Sequence, residues 1–150
     1  MRIVGTPNPR MESIMPAFSS PVIPASLRPG TVVTVWVFPF FRHKGIVSDR
    51  FSGGRPMVLS NSARTGGVAE ESWDIFAAGQ QVLVEGYPGS LLPATVVYRA
   101  RSLVGTKYHL LNWNCEHLVS YTHGMAPRSP QVTIVIAAAL IAGLAVFAAD

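Results

Sequence analysis

A second cysteine is missing from this chain of 150 residues, which excludes an internal disulfide and any metal site built on several thiolates. A lone thiol fits a reducing compartment. Charge is also scarce: Asp, Glu, Lys and Arg make up 13% of the residues, well below the usual share of about a quarter. The 12 Lys and Arg leave a formal net charge of +4 but are scattered, with no run of four. The basic stripe with interleaved aromatics that marks a nucleic-acid footprint is therefore absent, and no specific nucleic-acid site is expected. Weak attraction to an anionic membrane surface, or a plainly basic exterior, suits this charge. Among the four histidines no pair has zinc-site spacing, so no metal and no cofactor is expected. Residues 1–30 lack the apolar core of a secretory signal, and cytosolic exposure is expected.

What the chain does have is hydrophobicity, at 49% of residues, and proline near its start. Pro7, Pro9, Pro16, Pro21, Pro24 and Pro29 make residues 1–29 an irregular arm. A domain over 30–125 follows. Thr31 to Phe38 is β-branched and aromatic and reads as a strand, which Pro39 ends or marks as an edge. His43 to Ser48 is a second strand, and Asp49 to Pro56, with Gly53-Gly54, is a hairpin turn. Met57 to Ser60 is a third strand. A turn at Thr65-Gly66-Gly67 precedes a short strand from Val68 to Glu70. Ser72 reads as the N-cap of a short helix reaching Ala78 and stopped by Gly79, and Gln81 to Glu85 returns as a strand.

From Ser90 to Val104 the apolar period becomes helical, with Pro93 tolerated in the first turn and Gly105 at the stop position. Tyr108 to Leu111 is an apolar approach to a helix that Asn114 opens and that runs to about Tyr121. The class is α+β: a small antiparallel sheet packed against helices, with a thiol at the start of one of them and a hydrophobic helix at the C-terminus.

That last helix lies in the tail, residues 131–149. Val132 to Ala149 contains no charge over 18 residues, roughly 27 Å of helix and just enough for a bilayer core. Seven of the 18 are alanine, which makes insertion marginal. The expectation is a membrane anchor that places the domain on the cytoplasmic face. A helix buried in the fold, or packed on a protein partner, is the alternative.

Cys115 stands out chemically. A thiol attacks only as thiolate, and its ordinary pKa near ~8.5 leaves little of that form at neutral pH. Asn114 as N-cap would put Cys115 in the first turn of a helix, where free N–H groups and the dipole favour negative charge. A histidine paired with it would do the same. A small core hydrophobe beside Leu118 and Val119 is the bland reading of the same position. His117, two residues on, points away from Cys115 on a helix, and a structural hydrogen bond or a surface place accounts for it. His109 alternates with apolar neighbours and is expected to be exposed. His123 suits the dipole at a helix end, as Glu116 suits the first turn. Tyr108 fits core packing or a pocket wall.

The run Tyr108-His-Leu-Leu-Asn-Trp-Asn-Cys-Glu-His-Leu118 resembles the NC box of the lecithin:retinol acyltransferase-like family, a permuted branch of the NlpC-type thiol hydrolases. His43-Lys-Gly-Ile46 resembles its H-box, and Gly66 to Glu70 followed by Trp73 to Gly79 resembles its mid-domain segment. The resemblance covers roughly 29–124 and implies Cys115 as nucleophile and His43 as general base. It implies an acyl group taken from a glycerophospholipid as a thioester, then passed to an amine, alcohol or water. Membrane phospholipid is the partner so implied, and the hydrophobic tail suits a protein partner. First-turn amides of the helix would help hold the oxyanion.

One position departs from the family. Active members carry a second histidine, which orients the base, on the strand after the H-box; the matching residue here is Ser60, or Asn61 with a shift of one. Asn can hold an imidazole in the useful tautomer, and Ser less firmly. Lys44 also stands where an aromatic is common, and its charge would favour a thiolate and disfavour an imidazolium. Two functions follow. One is a membrane-associated thiol acyltransferase or phospholipase A. The other is a catalytically impaired accessory protein, like the H-box/NC proteins of some picornaviruses, acting in replication or host interaction.

Overall fold

The structure, a computed structural model, describes residues 24–38 and 41–147. The arm as far as residue 23 and the strand end at Pro39 lie outside the described residues. Five strands form one antiparallel sheet: β1 (Val32–Phe38), β2 (Phe41–Ser52), β3 (Arg55–Ser62), β4 (Gly67–Glu71) and β5 (Leu83–Gly86), in the order β4-β3-β2-β1-β5. Among the described residues four helices accompany it: α1 (Trp73–Ala77), α2 (Pro93–Ser102), α3 (Cys115–Thr122) and α4 (Pro130–Phe147). The chain is thus α+β.

Alternation along the strands divides the core in two. Val32, Ile46, Leu59 and Val68 face α2 and α3, meeting Val96, Val97, Ala100, Leu118 and Val119. Val33, Val35, Val47 and Val58 point the other way, onto Trp73, Phe76 and Ala77 of α1. Leu27, after a 3₁₀ turn at Pro24–Ser26, packs on this second layer, so the end of the arm is part of the domain.

β2 and β3 are longer than their apolar runs suggest. The hairpin turn shrinks to Gly53-Gly54, both at positive φ, because Phe51↔Pro56 and Ser52↔Arg55 still pair beyond the core. At the other end the two strands part. Their ladder starts at Gly45↔Ser60, although β2 begins at Phe41 and β3 runs to Ser62. One edge of Phe41 to Lys44 is therefore not covered by a strand.

α4 overturns the expected membrane anchor. Among the described residues no helix is long and apolar enough to cross a membrane. The helix has 18 residues, or about 27 Å, and its first turns are committed to the domain. Gln131 bonds to Arg42 and Glu116, while Val132, Val135 and Ile136 line a cavity beside α3. The cytoplasmic-face placement that rested on the tail falls with it.

Candidate active site

α3 starts at Cys115 because Asn114 caps it. The Asn114 side-chain oxygen accepts from the main-chain N–H groups of Glu116 (2.9 Å) and His117 (3.3 Å), and His117 Nδ1 accepts from the Asn114 N–H at 3.3 Å. This reciprocal box gives the buried His117 a structural place. It also reduces the set of first-turn amides. With Glu116 and His117 N–H taken, the Cys115 N–H is the first-turn donor with no partner among the described residues.

The thiol projects onto the uncovered edge of β2. Cys115 Sγ lies 4.0 Å from the Arg42 carbonyl oxygen, a long sulfur contact, and the Lys44 main-chain N–H points at the same sulfur. The sulfur is thus bracketed by the main-chain groups on either side of His43. The His43 side chain leaves β2 toward α1, where its ring meets Phe76 at 5.4 Å between centroids. His43 and Cys115 both line a cavity of about 500 Å³. Its walls are mostly apolar, including Trp36, Phe41, Phe76, Leu110, Val135 and Ile136, and its polar members include Arg64, Tyr108 and Gln131.

Cys115 and His43 are both neutral near pH 7. Burial pushes the Cys115 thiol up, and the Glu116 carboxylate adds to that, while the Lys44 N–H and charge pull it down. Burial also lowers His43, to about 4, with the Arg64 guanidinium adding to the effect. Tyr108 is raised by burial and by its closeness to Cys115.

Ser60 and Asn61 take opposite faces of β3. Ser60, opposite Gly45, lies on the α1 side with His43, yet it is fully buried and its hydroxyl has no hydrogen-bond partner among the described residues. Asn61 lies on the α3 side, where its Nδ2 donates to the Trp113 carbonyl at 2.8 Å. Its Oδ1 has no partner among the described residues. Neither residue bonds to the His43 imidazole. Asn61 instead fixes the segment that leads into Asn114 and Cys115.

Lys44 faces α3 with its side chain, 2.8 Å from Glu85 and 3.8 Å from Glu116. Glu116 is itself buried, accepting from Ser129 Oγ and, at 3.1 Å, from the Gln131 N–H. Its role extends well past the helix dipole. His109 is exposed, as expected, and its Nδ1 accepts from the Asn112 N–H at 3.3 Å. His123 differs from expectation. It is buried at the end of α3 with Nε2 3.0 Å from the Gly30 carbonyl and its ring edge-on to Tyr87, and burial lowers its pKa. A neutral ring cannot answer the helix dipole with charge.

Sequence reasoning missed Ser129 and Gln131, because both sit at the head of an apolar run whose hydrophobicity dominates any reading of it. The only signal was their polarity just before that run.

A family model described as lecithin retinol acyltransferase matches residues 30–126. The lecithin retinol acyltransferase of Bos taurus is 32% identical over 90 residues, which is 56% of this chain and 39% of that protein. The match thus spans about two fifths of the relative's length. No solved structure matches.

Proposed function

Because this chain belongs to the lecithin retinol acyltransferase family, we propose that it transfers acyl groups through a thioester on Cys115, with His43 as general base and a glycerophospholipid as donor. The observation that carries this reading is the sulfur held against the main chain on both sides of His43, at the wall of an apolar cavity the two residues share. Apolar walls suit an acyl chain, and burial keeps water from the ester.

The reaction starts from a neutral pair. Cys115 sulfur attacks the ester carbonyl carbon as its proton passes to His43, and the carbonyl oxygen becomes an oxyanion. The free Cys115 N–H is the donor available to that oxygen. When the carbon–oxygen bond to glycerol breaks, His43 returns the proton to the departing oxygen, leaving a thioester and a lysophospholipid. An amine, alcohol or water then gives its proton to His43 and attacks the thioester. The carbon–sulfur bond breaks, and the Cys115 thiolate takes that proton back from His43, which restores the neutral pair.

A second reading has its own support. The imidazole makes no hydrogen bond to Ser60 or Asn61, and the thiol is pushed away from thiolate. Both fit a catalytically impaired H-box/NC protein of the viral non-structural type, which acts in replication or host interaction by binding. Release of fatty acid and lysophospholipid from a short-chain phosphatidylcholine separates the two. Release that is lost in His43→Ala supports catalysis; none from the folded wild-type protein supports binding alone.

A further inference from the structure

We infer that Gln131, at the head of α4, is a positioning residue for Cys115: its side-chain amide stands in for the strand that β2 lacks there and holds the main chain on which the sulfur rests. The inference rests on the reading of Cys115 as the reactive group, and it adds a part of the chain that lies outside the family match to the site.

The geometry is that of a strand partner. Arg42 N–H donates to Gln131 Oε1 at 2.9 Å, and Gln131 Nε2 donates to the Arg42 carbonyl at 3.1 Å. One primary amide thus satisfies both main-chain groups of one β2 residue, as a neighbouring strand does in a ladder. The amide orientation follows from its partners, since the carbonyl can only accept and the N–H can only donate. β3 cannot fill this place, having left the ladder after Ser60.

The Arg42 carbonyl that Gln131 holds is also the oxygen facing Cys115 Sγ. Gln131 is tied to the helix carrying the thiol as well. Its main-chain N–H donates to Glu116 at 3.1 Å, and Ser129, two residues earlier, bonds to Glu116 and accepts from Asn114 Nδ2 at 3.0 Å. One turn of chain therefore clamps both residues flanking Cys115 and the strand opposite it. The next turns of α4 supply Val132, Val135 and Ile136 to the cavity wall. Loss of the amide leaves two main-chain groups unpaired and frees that wall, which opens the sulfur to water.

Being the sole cysteine, Cys115 can be followed by alkylation with iodoacetamide in the full chain, whether or not the protein turns over a lipid. Rates are measured from pH 6 to 10 for wild type, Gln131→Ala, Gln131→Met and Ile134→Ala. Met keeps the bulk of Gln without its hydrogen bonds, and Ile134 is an exposed α4 residue outside the cavity wall. The charged and titratable groups around the thiol are Arg42, His43 and Lys44 from β2, Arg64 from the β3–β4 turn, Tyr108, and Glu116 from α3. They are the same in all four proteins. Both Gln131 variants should alkylate at least about fivefold faster at pH 7, with the midpoint of the rate profile moved down toward the ordinary thiol value. Ile134→Ala should match wild type. Unchanged rates and midpoint in Gln131→Met, with its circular dichroism as in wild type, would overturn the inference. So would an equal shift in Ile134→Ala. If the Gln131 shift is seen and no lipid is cleaved, the clamp stands and the acyl-transfer reading fails.

Discussion

The sulfur of Cys115 lies 4.0 Å from the carbonyl oxygen of Arg42, on the stretch of β2 that β3 leaves uncovered. A helix start and an incomplete sheet edge meet at that point, and the cavity opens beside it. Were the β2–β3 ladder to continue beyond Gly45 and Ser60, its hydrogen bonds would occupy the groups that now face the thiol. The parting of two strands is what makes room for the site.

Acid should destabilise the protein well before general carboxylate protonation. His43, His117 and His123 are all lowered by burial, His43 to about 4. Their unfolded forms bind protons near ~6.5, so between those values the unfolded chain holds more protons than the folded one. The stability they contribute is full above about 6.5 and is lost as pH falls toward about 4. Thermal unfolding from pH 7.5 to 4.5 should show Tm falling by several degrees, with a shallower fall in His43→Gln. A flat Tm across that range contradicts the buried, neutral assignment.

Ser60→Ala should be harmless. The Ser60 hydroxyl is fully buried without a partner among the described residues, and removing such a group recovers a desolvation cost of about 1 kcal/mol rather than breaking a bond. Tm should stay level or rise, and the rate of acyl release should match wild type. A marked loss of rate would mean that Ser60 steadies His43 after all.

Gly45→Ala should damage both fold and site. A Cβ at Gly45 would stand 2.8 Å from Phe76 Cε2 and closer still to Val58. Such overpacking costs about 1–3 kcal/mol. Since the Phe76 ring packs on His43, the displacement reaches that imidazole. Chemical denaturation should register the loss of stability, and acyl release should fall by more than in the exposed control Val104→Ala.

Arg101→Met should destabilise the far end of the sheet. Arg101 reaches Glu70 (3.0 Å), Ser48 (3.0 Å) and Asp49. Burial pushes the Glu70 carboxyl up, but bonds from Arg101 and Ser48 outweigh it and hold it below its ordinary range. Without Arg101 a nearly buried carboxylate loses its main partner, at a cost of about 2 kcal/mol at neutral pH. Because the paired carboxylate is depressed, the difference between variant and wild type should shrink as pH drops through and below about 4.5. Denaturant midpoints at pH 7 and pH 4 check both parts.

Much of this arrangement could be read from residue order. β1 is β-branched and aromatic throughout, the Ser72 and Asn114 caps mark α1 and α3, and the residues around Cys115 and His43 carry the family resemblance. The outer halves of β2 and β3 were not legible, because Asp49, Arg50 and Arg55 show no buried face and the pairing there is main-chain only. α2 begins later than its apolar pattern, since Pro93 fits the first turn and makes Leu92 the cap. The tail misled for a related reason. Hydropathy says that a segment avoids water but not what it packs against, and the Gln131 side chain bonds to Arg42, 89 residues away in sequence. The faces of Ser60 and Asn61 depend on strand register, which a shift of one residue inverts.

The central claim is that Cys115 accepts an acyl group. Intact mass spectrometry of the protein after incubation with a short-chain phosphatidylcholine tests it most directly. The expected result is an adduct of one acyl chain that is cleared by hydroxylamine and is absent in Cys115→Ala. A folded wild-type protein with no adduct, or an adduct of equal yield in Cys115→Ala, would contradict it.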